Sequence, residues 1–137
     1  MTIHWLIPAT ISLILWGCWS FLPKLSVRSM LPSHAMVFEG LGCFIIAILV
    51  FVFLGGKVEW DPRKIWIPIL TGMCGIAGAL TFLFAMKSGK ASVVICYTAM
   101  YPLVGIILTS LVLGESLNTK EIAGLCCALL ATLLFSI

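Results

Sequence analysis

The chain carries little charge. Of its 137 residues only 9% are Asp, Glu, Lys or Arg, whereas 62% are hydrophobic, and the mean hydropathy is +1.22. Soluble domains have about 25% charged residues. A water-soluble globular domain is therefore excluded, and the composition predicts a chain whose solvent is lipid.

Several kinds of functional site are also missing. The eight Lys and Arg residues are scattered, which excludes a basic patch for nucleic acid. The apolar segments hold no nucleophile–base pair, paired carboxylates or metal cluster, so we expect no enzyme and no cofactor. The cysteines form no CxxC pattern and predict small core residues. They are Cys18, Cys43, Cys74, Cys96, Cys126 and Cys127.

Five apolar segments are long enough to cross a bilayer. A transmembrane helix needs about 20 apolar residues, because each adds about 1.5 Å to a path of about 30 Å. The sequence therefore predicts an all-α integral membrane fold, a bundle of five transmembrane helices in one domain covering 1–137. The predicted spans are 3–22, 33–54, 62–86, 91–113 and 119–137.

Local signals predict where these helices begin and end. Pro23 is expected to end the first helix, because proline disfavours helical conformation in the residue before it. Ser33 is a candidate N-cap for the second helix, and Gly55-Gly56 predicts its C-terminus. Asn118 with Glu121 three residues later predicts a capping box at the start of the fifth.

Basic residues flank the predicted helices in equal number on the two sides of the membrane. An excess of Lys and Arg normally fixes the cytoplasmic side. Here the count is four against four, which predicts insertion in both orientations and an antiparallel homodimer that reproduces an inverted repeat. One fixed orientation is the alternative. The two sets are Lys57, Arg63, Lys64 and Lys120, and Lys24, Arg28, Lys87 and Lys90.

Glu39 is the one acidic residue placed well inside a predicted span. A carboxylate at that depth costs roughly 2.5–3.5 kcal/mol on insertion scales, so we expect it to face protein or a water-filled cavity. No basic residue lies within four positions of it. Desolvation should favour its protonated form, so that a proton and a cationic substrate compete for it. The alternative is a protonated carboxyl that only joins neighbouring helices by a hydrogen bond.

Aromatic side chains supply candidates for a substrate cavity. Trp16 and Trp19 share a face of the first helix, and Tyr97 and Tyr101 share a face of the fourth. Such rings attract organic cations by about 0.5–2 kcal/mol each. Trp16 and Tyr101 are the preferred pair because they lie deeper, and Trp19 is also a candidate interface anchor. Ordinary packing of these aromatics is the alternative.

Small residues form faces on the third and fifth helices that allow close helix approach. Pro102 predicts a bend inside the fourth helix, which is a candidate gate hinge or a static kink. The small residues serve as candidates for helix packing and for the dimer contact. They are Gly72, Gly75 and Gly78, and Gly124 and Ala128.

The stretch "ASVVICYTAMYPLVGIILTSLVLGESLNTKEIAGLCCALLATLLFSI" resembles the C-terminal part of an EamA domain of the drug/metabolite transporter superfamily. The features that match are Ala91-Ser92, Tyr101-Pro102, the Leu113-Gly114-Glu115 turn and Gly124. A weaker match includes "WGCWSFLPKLS" in the first helix. Many EamA domains place an arginine in the second helix, where this chain has Glu39, so the resemblance does not carry a substrate class over.

Members of that family commonly carry two five-helix halves of opposite orientation. The resemblance therefore implies a half-size transporter that completes itself by pairing, as the four-helix small multidrug resistance proteins do. We predict a multi-pass inner-membrane transporter that exchanges protons for small hydrophobic or cationic metabolites. The alternatives are a flippase or exporter of lipid-linked or neutral metabolites without proton coupling, and a non-transporting subunit of a larger membrane complex.

Overall fold

The chain folds into α-helices. The computed structural model describes residues 5–136, and these residues form six helical segments. The fourth and fifth segments together occupy the predicted fourth span, so the six make five helical spans and confirm the all-helical fold. They are α1 Leu6–Ser29, α2 Pro32–Phe53, α3 Trp66–Ser88, α4 Ala91–Thr98, α5 Tyr101–Leu113 and α6 Thr119–Ser136.

Four of the spans are long and apolar enough to cross a membrane: α1, α2, α3 and the stretch Ala91–Leu113 that contains α4 and α5. This confirms a membrane protein. Helix α6 lies where the fifth span is predicted, and its crossing of the membrane stays a prediction. Residues 3, 4 and 137 of the predicted spans lie outside the described residues.

The helices fall into two compact units that divide between Ser88 and Gly89. In the three-helix unit, α3 packs against both α1 and α2, which also contact each other. In the C-terminal unit, α4 packs against α6.

The core of the three-helix unit lies at one end, where α1 and α3 finish and α2 starts. We call this part the packed end. By contrast, no described side chain between Leu41 and Gly78 is buried, so α2 and α3 leave most of their length uncovered. The buried hydrophobic residues are Val27, Ala35, Ala79, Phe82, Leu83 and Met86.

Two lysines join α1 to α3 at the packed end. Lys24 Nζ donates a hydrogen bond to the Met86 carbonyl at 2.7 Å, and Lys87 Nζ donates to the Val27 carbonyl at 2.7 Å. Both carbonyls lie in the last turn of their helix, where no backbone amide follows to bond them. Each lysine therefore caps the C-terminus of the other helix, where a cation is also favoured by the helix dipole.

Helix α1 does not end at Pro23, and that prediction is wrong. The helix continues to Ser29, with Pro23 inside it and buried. Proline removes its own N–H, which would have bonded the Trp19 carbonyl, and its ring crowds that carbonyl. Membrane helices tolerate this loss because neighbouring helices compensate.

Ser33 is not the N-cap of α2, which corrects a second prediction. The N-cap is Leu31, whose carbonyl accepts the amides of His34 and Ala35 at 3.0 Å each. Pro32 takes the first helical position, where its missing N–H costs nothing. The proline therefore sets the boundary instead of the serine hydroxyl.

The glycine end of α2 is confirmed. Gly55 and Gly56 have φ of 63° and 74°, a left-handed conformation that side chains disfavour. The Gly56 amide bonds the Phe51 carbonyl at 3.0 Å and the Gly55 amide bonds the Val52 carbonyl at 2.9 Å. These are the two bonds of a Schellman motif.

The capping box at α6 is confirmed as well. The Glu121 amide donates to Asn118 Oδ1 at 3.0 Å, and the Asn118 amide donates to Glu121 Oε2 at 2.8 Å. Two backbone amides that the helix itself cannot satisfy are thereby bonded.

The start of α3 is shifted from the prediction. Residues 62–65 form a turn, and the helix begins at Trp66. Asp61 organises the turn, because its Oδ1 accepts the Arg63 amide and its carbonyl accepts the Lys64 amide, both at 3.0 Å.

Candidate functional site

Glu39 lies on α2 about two turns after Pro32, next to the packed end, and its side chain is half-buried. Its Oε1 accepts a hydrogen bond of 2.6 Å from the indole nitrogen of Trp19 on α1. Hydrogen bonds to a carboxylate are short and strong compared with those between neutral groups. The acidic residue that the sequence singles out therefore has a specific partner on a neighbouring helix.

Trp19 is itself held by α3. Its ring stacks on Phe82, with centroids 5.3 Å apart and planes 20° apart. Phe82 is only 7% exposed, whereas Trp19 is 40% exposed, so the reachable part of this aromatic pair belongs to Trp19. The cluster of Glu39, Trp19 and Phe82, one residue from each helix, is the candidate site.

The Glu39 carboxylate has no cationic partner among the described residues. The ion pairs in that part of the chain belong to Lys64, which contacts Glu59 at 3.0 Å and Asp61 at 3.6 Å. Nor do residues 5–136 contain a group of three His, Cys, Asp or Glu side chains that could hold a metal. What this carboxylate can accept is a proton or a cation from outside the site.

Trp16, the preferred tryptophan of the predicted cavity, does not make this hydrogen bond. It lies one turn earlier on α1 and is 60% exposed. Trp19, a cavity candidate with an interface anchor as its alternative, is the tryptophan that contacts Glu39. Phe82 was missed, since a phenylalanine within an apolar helix carries no signal that separates it from packing residues.

Tyr97 and Tyr101 lie in the C-terminal unit and are 70% and 61% exposed. They do not share one continuous helix, because α4 ends at Thr98 and α5 begins at Tyr101. A cage that includes them stays a prediction.

Pro102 lies just after an interruption of the helical span Ala91–Leu113, between Thr98 and Tyr101. It occupies the first turn of α5 and has no N–H to offer the Thr98 carbonyl. The amides around it bond three residues back, Met100 to the Tyr97 carbonyl at 3.2 Å and Leu103 to the Met100 carbonyl at 3.0 Å. The fourth span is thus divided into α4 and α5 by a tight turn. The bend at Pro102 and its role as a gate hinge stay predictions.

The predicted small-residue faces are open. A Cβ built on Gly72, Gly75, Gly78 or Gly124 meets no atom of the chain within 4 Å, apart from the helix's own backbone. Ala128 on α6 is half-buried. On α3, a shallow apolar groove of about 430 Å³ runs along Gly72, Met73, Ile76, Ala77 and Leu80. A dimer contact at these faces stays a prediction.

Long apolar helices, one of which carries a carboxylate bonded to its neighbour, define a helical membrane protein with a polar site inside one unit. The model of the EamA-like transporter family matches residues 3–137, which is nearly the whole chain. The chain therefore belongs to the EamA-like transporter family, a family of membrane transporters of the drug/metabolite superfamily, as the sequence resemblance implied. No curated protein and no solved structure matches it.

Proposed function

We propose that this protein is a proton-coupled secondary transporter that moves small hydrophobic or cationic metabolites across the inner membrane by alternating access. The observation that carries the proposal is Glu39, whose carboxylate is held by Trp19 at 2.6 Å and has no counter-cation among the described residues. The proposal adds coupling and substrate class to the family's general activity.

The coupling follows from the chemistry of one carboxylate. A proton neutralises Glu39, and a bound organic cation does the same, so the two compete for the site. The exposed part of the Trp19 ring beside the carboxylate adds a surface that attracts cations with an apolar body. Loading the proton on one side of the membrane then expels the cation there.

The second half of the transporter is proposed to be another copy in the opposite orientation. The balanced Lys and Arg count supports this arrangement. An antiparallel homodimer supplies the inverted repeat that many secondary transporters carry in one polypeptide.

Uptake into proteoliposomes tests the coupling. With an acidic lumen, the wild-type protein should accumulate tetraphenylphosphonium, a hydrophobic cation, and Glu39→Gln should fall to the rate of protein-free vesicles. Glu115→Gln is the matched control, because Glu115 is an exposed carboxylate outside the helices. If Glu39→Gln keeps gradient-driven uptake, the coupling role is wrong.

The same experiment separates the alternatives. Uptake that is unaffected by the pH gradient in both wild type and Glu39→Gln would favour a flippase or an uncoupled exporter. The absence of uptake for a panel of cations, combined with co-purification of a larger partner, would favour a non-transporting subunit.

The orientation is tested by reporters fused to the C-terminus. Dual insertion predicts activity from both a cytoplasmic and a periplasmic reporter. Activity from only one of them would contradict the antiparallel homodimer.

A further inference from the structure

We infer that Phe82 is a positioning residue of the carboxylate site: its stacking on Trp19 aims the indole N–H at Glu39, so that Trp19 responds to loading of the carboxylate. Loading means that Glu39 binds a proton or a cation, and this part of the inference rests on the proposed function. The arrangement of the three side chains does not depend on that function.

The first step concerns what fixes the indole. A tryptophan that is 40% exposed keeps rotational freedom unless another side chain restricts it. Phe82 provides that restriction, because its ring is nearly buried and lies nearly parallel to the indole at 5.3 Å. Stacked rings at this separation attract each other beyond simple burial.

The second step concerns what the indole does. The indole nitrogen is a donor only, so its bond to Glu39 is strongest when the carboxylate is ionised. Protonation or binding of a cation weakens the acceptor and changes the surroundings of the Trp19 ring. The emission of Trp19 should therefore report whether Glu39 is loaded.

The loss of the response in Glu39→Gln is needed to assign it to Glu39, because other titratable groups lie on the same three helices. The helices packed against α2 offer Lys24, whose ammonium bonds the Met86 carbonyl, and Lys87, whose ammonium bonds the Val27 carbonyl. None of the titratable groups of the three helices forms a described ion pair or hydrogen bond with Glu39. Besides the two lysines they are Arg28, Cys18 and Cys74 on α1 and α3, and His34 and Cys43 on α2 itself.

The experiment uses a full-length protein in which Trp19 is the only tryptophan. Trp5, Trp16, Trp60 and Trp66 are replaced by Phe, and emission is recorded in detergent against pH and against tetraphenylphosphonium. We expect a pH-dependent shift in emission that saturating cation suppresses and that Glu39→Gln abolishes.

Phe82→Leu should reduce the pH-dependent shift and raise the KM for the cation by about twofold to tenfold, as expected for loss of one aromatic pair. Phe82→Tyr keeps the ring and should restore both. Phe84→Leu is the matched control, because Phe84 lies on the same helix but is 54% exposed.

Three outcomes would overturn the inference. One is an unchanged emission shift in Phe82→Leu, and another is an equal loss in Phe84→Leu. The third is failure to fold of both Phe82→Leu and Phe82→Met, because Phe82 would then serve the fold and not the carboxylate. If the emission shift behaves as expected while wild-type vesicles show no gradient-driven uptake, the positioning role stands and the proposed coupling fails.

Discussion

Replacing Lys87 by Met should loosen the packed end of the three-helix unit. The lysine Nζ lies 2.7 Å from the Val27 carbonyl, so the substitution removes one charged donor. The Val27 carbonyl at the end of α1 then loses this hydrogen bond. Hydrogen bonds to charged groups contribute about 1.5–3 kcal/mol. Because Lys87 is exposed and water competes for the carbonyl, we expect a loss of about 1 kcal/mol. Methionine keeps the apolar stem and thus most of the packing.

The free energy of unfolding is measured in detergent micelles by denaturant titration, for Lys87→Met, Lys24→Met and the double variant. Lys24 is half-buried and makes a further contact, so its replacement should cost at least as much. Since both lysines hold the same pair of helix ends, their effects should be non-additive by about 0.5 kcal/mol or more.

Lys64→Met provides the control. Its ammonium pairs with Glu59 at 3.0 Å, but the two side chains are 71% and 80% exposed. Surface ion pairs of this kind contribute about 0–1 kcal/mol and weaken in salt. If Lys87→Met lowers stability no more than Lys64→Met does, the two lysines do not hold the packed end together.

Three further changes test other parts of the chain. Asn118→Ala removes half of the capping box with Glu121 and should destabilise the first turn of α6 by about 1 kcal/mol, seen as faster amide exchange there. Pro102→Ala supplies the missing amide, so α4 and α5 should merge, and circular dichroism would detect the added helix. If the turn between them acts as a gate, transport should also become slower. The added methyl of Gly75→Ala meets no other atom of the chain and should raise helix stability by up to about 1 kcal/mol. It should weaken the proposed dimer, measured by cross-linking, and an unchanged dimer would show that Gly75 is not in that contact.

The features that were predictable from the sequence depend on local chemistry or on composition. The apolar runs predicted membrane helices because lipid leaves few other solutions for the backbone. Gly55-Gly56 and the Asn118–Glu121 pair ended and began helices as predicted, since their bonds join residues at most five positions apart.

The features that were missed depend on neighbours in space. Pro23 looks like a helix end in sequence, but it is buried at the packed end, and the helix passes through it. The tight turn that separates α4 from α5 just before Pro102 was not predicted either. Phe82 resembles the other apolar residues of α3, and only its stacking on Trp19 distinguishes it.

The position of Glu39 along α2 satisfies two conditions that its proposed coupling role requires. Ala35, one turn before Glu39, is buried in the packed end, whereas every α2 side chain from Leu41 onward is exposed. A carboxylate deeper in the packed end would be shielded from any solute, and one farther along α2 would lack the donor that offsets its cost in lipid. At the boundary, Trp19 satisfies one oxygen while the half-buried side chain stays within reach of a proton or a cation. Lipid covers the exposed apolar faces of α2 and α3 beyond this point without a hydrophobic penalty, so burial of apolar area would not drive the proposed second copy onto them. Close packing would have to hold it there, and the open glycines of α3 are the proposed surface.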